Sequence, residues 1–267
     1  MRRMCGWSVT VALAGGLLGG LAGCKSGDLR RQAQTTDKGT NAEKPAVPLD
    51  PATLGTVSGT VHLSGKAPAP VKIDMSMDPV CSITGGNNFS EQYIVHGGQL
   101  ANVYIYIKNG PPAAMSATAT MPAPVVMDQI GCKYVPHVIA LMRGGSVEFR
   151  NSDSTMHNIH TLPAAEGSQP IDISQGAKGA PQVKQFNQPE VMLPVRCNNH
   201  PWMNAFINVS ATPFFAVTNA DGHFSISGLP AGTYTLAAVH EKMGEQTMTV
   251  AVEPKGTSKA DFNFNVK

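Results

Sequence analysis

The sequence predicts an all-β fold. Short stretches of alternating apolar and polar residues recur after residue 53, and Gly, Pro, Asn and Asp separate them. A period of two is typical of a strand with one buried face, and no segment shows a sustained helical period of 3.6. The predicted strands are Thr56–Leu63, Val103–Ile107, Ser146–Arg150, Val191–Arg196, Ala205–Val209, Phe224–Ile226, Thr233–Ala237 and Thr247–Val252.

The N-terminus has the order of a secretory signal: two arginines, an apolar, Gly-rich run over Val9–Leu21, and the sequence Leu-Ala-Gly-Cys ending at Cys24. The apolar run is too short for a good membrane span. The ending resembles the bacterial lipobox, which implies removal of residues 1–23 and lipidation of Cys24; an ordinary cleaved signal is the alternative. Because Lys25 replaces the Asp of an inner-membrane retention signal, we expect a lipid anchor on the periplasmic side, in the outer membrane if the cell has one.

Charge and composition after the signal exclude a nucleic-acid partner. Removing residues 1–23 removes two basic residues and no acidic ones, so 18 residues of each sign remain. No basic patch or arginine run is present. Residues 24–53 are polar and proline-bearing without apolar periodicity, which predicts a flexible tether.

The cysteine count leaves one thiol to explain. Cys5 leaves with the signal and Cys24 takes the lipid, so Cys81, Cys132 and Cys197 remain. In an oxidising compartment two of these can pair, and an odd free thiol is a liability unless it is used. The residues around each cysteine decide which of the three carries the free thiol.

Two regions near opposite ends of the globular part share one pattern. Strand-like residues lie at Gly55–Val61 and Ala101–Lys108, and again at Ala216–Ile226 and Gly228–Leu236. The later pair contains Asp-Gly and Pro-x-Gly, which supply the backbone angles of tight turns. Together the stretches resemble the carboxypeptidase regulatory-like (transthyretin-like) β-sandwich. The resemblance implies a scaffold or contact module without a catalytic group.

Between these regions, the chain has a different pattern. Tyr134-Val135-Pro136 precedes two short apolar strands, and Asn151-Ser152-Asp153 then precedes His157. This order resembles the opening of a cupredoxin. It implies a Greek-key cupredoxin domain at residues 122–211, inserted into a sandwich formed by residues 54–121 and 212–267. Domains in simple tandem are the alternative.

One predicted loop contains several residue types that bind metal ions. Cys197-Asn198-Asn199-His200-Pro201-Trp202-Met203 lies between two predicted strands. Its Cys-x-x-His-x-x-Met spacing resembles the amicyanin-like cupredoxins, as does the Met-His-Asn run around His157. Type 1 copper requires two imidazoles, a thiolate and a distant thioether. The resemblance implies one mononuclear type 1 copper ion held by His157, Cys197, His200 and Met203, with Asn151 hydrogen-bonding to the loop near Cys197.

Several residues in and near this loop also have interpretations that involve no metal. Taken singly, Cys197 could be a structural thiol and Met203 a core residue. His160 is three residues from His157 and faces the other way on a regular strand. Trp202 fits either a docking patch for an electron partner or the core. With Cys197 assigned to copper, the two cysteines left for a disulfide are Cys81 and Cys132, which would join the inserted domain to its host.

The predicted function is transfer of single electrons between redox protein partners, and not catalysis. The His-Cys-His signature of multicopper oxidases is absent, because Arg196 and Asn198 flank Cys197. A dinuclear copper centre needs two cysteines in the loop, and no haem-attachment motif occurs. Two alternatives remain: copper storage or delivery, and a surface lipoprotein for adhesion or ligand binding.

Overall fold

The described part of the chain is almost entirely β-structure, which confirms the predicted fold class. The structure, a computed structural model, describes residues 49–86, 88–120 and 122–266. The predicted signal 1–23, Cys24 and nearly all of the predicted tether 24–53 lie outside the described residues. Within the described ranges, no helix is both long and apolar enough to span a membrane.

The secondary-structure elements include the predicted strands and, among the described residues, three short helices. The helices are a 3-10 helix at Pro51–Thr53, α1 Pro79–Thr84 and α2 Pro112–Met115. The strands are β1 Leu54–Ser64, β2 Val95–His96, β3 Gln99–Leu100, β4 Tyr104–Asn109, β5 Val125–Gln129, β6 Tyr134–Val135, β7 Val138–Met142, β8 Ser146–Asn151, β9 His157–Thr161, β10 Asp172–Gln175, β11 Gln182–Gln185, β12 Glu190–Arg196, β13 Asn204–Ser210, β14 Phe215–Val217, β15 His223–Pro230, β16 Gly232–His240, β17 Gly244–Val252, β18 Thr257–Lys259 and β19 Phe262–Asn265.

Two sheets enclose a first hydrophobic core. One has the order β15-β1-β3-β2, with β18 and β19 pairing parallel to β1, and the other has the order β14-β4-β16-β17. Alternate residues of β1, such as Val57 and Val61, are fully buried, as are Ile105 on β4 and Leu236 on β16. The apolar side of each strand thus faces a shared interior.

Two further sheets enclose a second core and supply the candidate site. Their orders are β10-β9-β12-β13-β7 and β11-β8-β5-β6. Phe149 on β8, Ile159 on β9, Val195 on β12 and Ile207 on β13 belong to this core. β9 lies between β10 and β12, and its antiparallel pairing with β12 brings the start of β9, where the first predicted histidine lies, beside the ligand loop that follows β12.

Strand pairing connects the two ends of the described chain. β1 pairs with β15, β18 and β19, and β4 pairs with β14 and β16. Strands that precede the second core therefore pair with strands that follow it, as an inserted domain requires. The boundaries 54–121, 122–211 and 212–267 stay a prediction.

One segment departs from those boundaries. Met75 and Cys81 pack in the second core, although the predicted boundary places them with the sandwich. The predicted disulfide between Cys81 and Cys132 is present, and it closes a sequence separation of 51 residues. Among the described cysteines Cys197 alone is free, and it is buried.

Candidate metal centre

The loop after β12 is closed by its own backbone hydrogen bonds. The N–H of Cys197 donates to the carbonyl of Met203 at 3.3 Å, and the N–H of Met203 donates to the carbonyl of His200 at 2.9 Å. These bonds hold the first, fourth and seventh residues of the loop in one tight turn. The three predicted ligands on the loop therefore have a fixed backbone.

The remaining predicted ligand comes from β9. His157 is the first residue of this strand, and β9 pairs antiparallel with β12 at Arg196 and Val195. Because Cys197 directly follows Arg196, the pairing places the start of β9 beside the start of the loop. The side-chain oxygen of Asn158 accepts a hydrogen bond from the backbone N–H of Asn198 at 3.0 Å, which joins the two segments directly.

Three predicted ligands converge in the interior. One ligand atom each from His157, Cys197 and His200 lies within 4.8 Å of the other two. The Nδ1 atoms of the two histidines are 2.9 Å apart, and Nδ1 of His200 is 3.5 Å from Sγ of Cys197. All three side chains are buried, and Met203, 1% exposed, packs in the same core. The structure therefore brings the imidazoles and the thiol together, and buries the thioether in the same hydrophobic core.

The Nε2 atom of each histidine, on the side of the ring away from Nδ1, forms a hydrogen bond with a carboxylate. Nε2 of His157 lies 2.9 Å from Oδ2 of Asp153, and Nε2 of His200 lies 3.1 Å from Oδ2 of Asp78. A carboxylate accepts hydrogen bonds, so each Nε2 carries a proton as the donor. The Nδ1 atoms are left to face Cys197. A carboxylate behind a ligating imidazole fixes its orientation and raises its basicity.

The electrostatics of the site favour a charged pair. Burial alone lowers the pKa of His157, but hydrogen bonds to Asp153 and Cys197 and their charges raise it to about 9. Burial likewise raises the pKa of the Cys197 thiol, whereas hydrogen bonds from His157, the backbone N–H groups of Asn199 and Asn158, and His200 lower it to about 7. The two shifts therefore favour an imidazolium at His157 beside a thiolate at Cys197 near neutral pH.

The donor set fits copper. Two imidazole nitrogens and one thiolate, with a thioether on the same loop, are the soft and borderline ligands that copper accepts in both oxidation states. His157, Cys197 and His200 would hold the ion through Nδ1, Sγ and Nδ1. The assignment of Met203 as a weak fourth ligand stays a prediction from the loop spacing.

The predicted role of Asn151 is wrong in its contacts. Its side-chain N–H groups donate to the backbone carbonyls of Thr155, Gln175 and Gly176, and its Oδ1 accepts from the backbone N–H of Asp153. The side chain lies at the end of β8, and its hydrogen bonds go to the turn that follows and to the end of β10. It therefore shapes the turn that carries Asp153, and Asn158 makes the bond to the ligand loop instead.

Sequence reasoning missed Asp78 and Asp153. Asp153 follows the quoted Asn151 by two residues, but nothing in a β pattern marks a turn carboxylate as a partner of His157. Asp78 stands before Pro79, a typical start signal for a helix. The helix that follows has only six residues, too few to show a helical period.

Other histidines lie away from the cluster or have their own partners. His160 is partly exposed, with Nδ1 3.5 Å from Oδ2 of Asp172 on the neighbouring strand. Nε2 of His137 is 2.6 Å from Oε1 of Glu241. Trp202 is half-buried; its Nε1–H donates to the carbonyl of Cys132, and its ring centre lies 5.1 Å from that of His200.

Comparison with known families gives one match. A family model for the carboxypeptidase regulatory-like domain matches residues 196–265. The match contains most of the second predicted sandwich segment, 212–267, and, because it begins at Arg196, it also contains the whole ligand loop and β13. A comparison with curated proteins found no match.

The similar solved structures include copper proteins. A Cu-containing nitrite reductase from Thermus scotoductus SA-01 is 26% identical, with a TM-score of 0.30 over 35% of this chain and 24% of its own. An amicyanin mutant in the Cu(I) form is 20% identical, with a TM-score of 0.30 over 40% of this chain and 98% of its own. A purple cupredoxin from Nitrosopumilus maritimus is 19% identical, with a TM-score of 0.27 over 32% and 99%. The chain spans about a quarter of the nitrite reductase.

Proposed function

We propose that this protein binds one copper ion in a type 1 site and carries single electrons between redox proteins. The observation that carries the proposal is the buried cluster in which the ligand atoms of His157, Cys197 and His200 lie within 4.8 Å of one another. Copper bound there would supply one-electron chemistry. The protein supplies two oriented imidazoles, a thiolate and a shielded interior.

The local structure favours a rigid site. The loop is closed by backbone hydrogen bonds, and each histidine has a carboxylate on its outer nitrogen. Side chains held in this way have little freedom to rearrange when the charge of the ion changes. A site that fits both oxidation states without movement is suited to fast electron transfer.

Burial distinguishes this function from copper delivery. A delivery site must release its ion to a partner, which requires ligands that a partner can reach. The side chains of His157 and His200 are 0% and 4% exposed, and Cys197 is also buried. The arrangement is better suited to keeping an ion than to passing it on.

The rest of the predicted function is part of the same proposal. We infer a carrier without an enzymatic activity of its own, held by a lipid on Cys24 at the periplasmic side of a membrane. The sandwich of β1, β4 and their partner strands would act as its scaffold or contact module. Its partners would be redox proteins, and no feature of the chain favours nucleic acid.

Copper addition tests the proposal. The full-length protein, purified without metal, is titrated with Cu(II) while visible absorption and electron paramagnetic resonance are recorded. We expect one equivalent to produce the intense thiolate-to-copper band of a type 1 site, and Cys197→Ser to lack it. Ascorbate should bleach the band and ferricyanide restore it. A colourless protein that takes up copper would support delivery, and a protein that takes up none would contradict both functions.

A further inference from the structure

The disulfide lies directly behind the two histidines of the proposed site. Sγ of Cys81 and an oxygen of Asp78 are within 4.8 Å of a ring nitrogen of His200. Sγ of Cys132 and an oxygen of Asp153 lie equally close to His157. Each half of the disulfide is therefore paired with one carboxylate and one imidazole.

On the Cys81 side, the connection runs through the start of α1. Oδ1 of Asp78 accepts hydrogen bonds from the backbone N–H groups of Val80 and Cys81, at 2.7 and 3.0 Å. Its other oxygen, Oδ2, accepts from the hydroxyl of Thr155 at 2.9 Å and from Nε2 of His200 at 3.1 Å. One oxygen thus fixes the carboxylate to the helix, and the other fixes the imidazole.

On the Cys132 side, the same arrangement occurs in a turn. The backbone N–H of Cys132 donates to Oδ2 of Asp153 at 2.8 Å, and the N–H of Gly131 donates to Oδ1 at 2.8 Å. Oδ2 also accepts from Nε2 of His157 at 2.9 Å. Each cysteine of the disulfide therefore holds, through its own N–H, the carboxylate that holds a histidine.

We propose that the Cys81–Cys132 disulfide and the carboxylates of Asp78 and Asp153 form a brace that positions both histidines for copper. The proposal rests on the proposed copper site and adds positioning residues to it. Asp78 comes from a segment that precedes β5 in the chain, so the disulfide is the covalent link between that segment and the turn carrying Cys132 and, through its hydrogen bonds, Asp153.

The brace has two physical effects. It keeps a proton on each Nε2, so that each Nδ1 has its lone pair available for a metal once the second proton of His157 is lost. It also places a negative charge behind each ring, which makes Nδ1 a better donor to Cu(II). Partners of this kind are typically worth about 10- to 100-fold in metal affinity.

Asp78→Asn tests the carboxylate without removing the helix cap. Asn is as good a cap as Asp, so its Oδ1 continues to accept from residues 80 and 81. Its Nδ2 then faces Nε2 of His200, and because both groups are hydrogen-bond donors, the bond to His200 is lost. We expect Cu(II) affinity to fall about tenfold, and the reduction potential to rise by about 59 mV if Cu(I) affinity is unchanged. The matched control is Asp74→Asn: this carboxylate lies in the same segment and, among the described contacts, accepts hydrogen bonds only from the backbone N–H and side chain of Ser76. Equal potentials for the two variants would overturn the proposal.

Cys81→Ser/Cys132→Ser tests the covalent link. Both backbone N–H groups remain, but the covalent bond between the segment of α1 and the turn is lost. We expect the potential of this variant to rise as well, and Asp78→Asn to have a much smaller additional effect in this background than in the protein with the disulfide. Fully additive effects would mean that the disulfide does not act through Asp78. If the double variant fails to fold, Asp78→Asn with the disulfide intact still decides the proposal.

The tautomer of His200 separates this proposal from the copper function. Long-range 1H–15N spectra of the metal-free, full-length protein identify which ring nitrogen carries the proton. We expect Nε2–H for His200 in the wild type and in Asp74→Asn, and a shift toward Nδ1–H in Asp78→Asn. This readout needs no copper, so it can succeed even if copper uptake fails. An unchanged tautomer in Asp78→Asn would contradict the brace.

Discussion

Asn158 joins the two halves of the candidate site: its Oδ1 accepts the backbone N–H of Asn198 at 3.0 Å. Its own backbone N–H is directed at the sulfur of Cys197 and helps to lower the thiol's pKa. The same side chain donates to Oδ1 of Asp172 at 2.6 Å, which anchors it to β10. One buried residue next to His157 thereby fixes the start of the ligand loop.

Asn158→Ala is expected to weaken the site without abolishing it. Loss of the side chain frees the N–H of Asn198 and loosens the loop, so copper affinity should fall about tenfold. The free energy of unfolding should fall by about 1–3 kcal/mol, because buried polar partners are left unpaired. Competition titration with a copper chelator and urea unfolding measure the two effects. Asn198→Ala is the control: it keeps the N–H and changes only an exposed side chain. Equal affinities for both variants would contradict the assigned role.

Met203→Leu is expected to retain copper and raise the reduction potential. Leucine fills the same buried volume but offers no thioether, so a weak donor to Cu(II) is lost while the imidazoles and thiolate remain. Protein-film voltammetry measures the potential. An unchanged or lower potential would remove Met203 from the ligand set and leave it as a core residue.

Loss of the disulfide is expected to destabilise the protein. With a sequence separation of 51 residues between Cys81 and Cys132, the chain-entropy estimate is about 4 kcal/mol. Urea unfolding of Cys81→Ser/Cys132→Ser against the wild type, both without metal, measures this difference. A difference below about 1 kcal/mol would mean that the packing of Met75 and α1 alone holds the segment in place.

Metal binding is expected to release protons, and more of them at lower pH. The pKa of His157 is raised to about 9 and that of Cys197 is lowered to about 7, and both groups must lose their protons to bind a metal. Near pH 8 the release should be about one proton, mainly from His157, and near pH 6 it should approach two. Calorimetric titration in buffers of different ionisation enthalpy counts the protons. A pH-independent release would contradict the imidazolium–thiolate pair.

His240 predicts a separate acid sensitivity in the first core's sheet. Burial lowers its pKa from 6.5 to about 4; Glu241 opposes the shift, while His137 and Lys242 reinforce it. Between these values the unfolded chain binds the proton and the folded chain does not, so stability is lost as pH falls from about 6.5 through about 4. The loss near pH 4.5 should be about 2 kcal/mol.

The measurement compares urea unfolding at pH 7 and pH 4.5. His240→Gln should reduce the acid loss by that amount while keeping an acceptor for the N–H of Lys242. His96→Gln, at an exposed position, should leave the acid loss as it is in the wild type. An equal acid loss in the wild type and His240→Gln would show that His240 is not responsible.

Local patterns were sufficient to predict the strands and the convergence of His157, Cys197 and His200. They were not sufficient to predict the carboxylates that hydrogen-bond to the two histidines. Period-two alternation marks β1 or β8 because each strand has one buried face along its length. The Cys-x-x-His-x-x-Met spacing is likewise local. Asp78 reaches His200 only through long-range folding, and Asp153, four residues before His157, reaches its histidine only through the conformation of the turn after β8. The resemblance assigns the hydrogen bond to the ligand loop to Asn151, whereas in the structure Asn158 makes this bond.

Copper K-edge X-ray absorption on the full-length protein loaded with one equivalent of copper tests the proposed ligand set most directly. The proposed site should give one short copper–sulfur distance and two copper–nitrogen distances of imidazole type, with the sulfur contribution lost in Cys197→Ser and one imidazole lost in His157→Ala. A copper ion surrounded only by nitrogen and oxygen, or a sulfur contribution that survives Cys197→Ser, would contradict it.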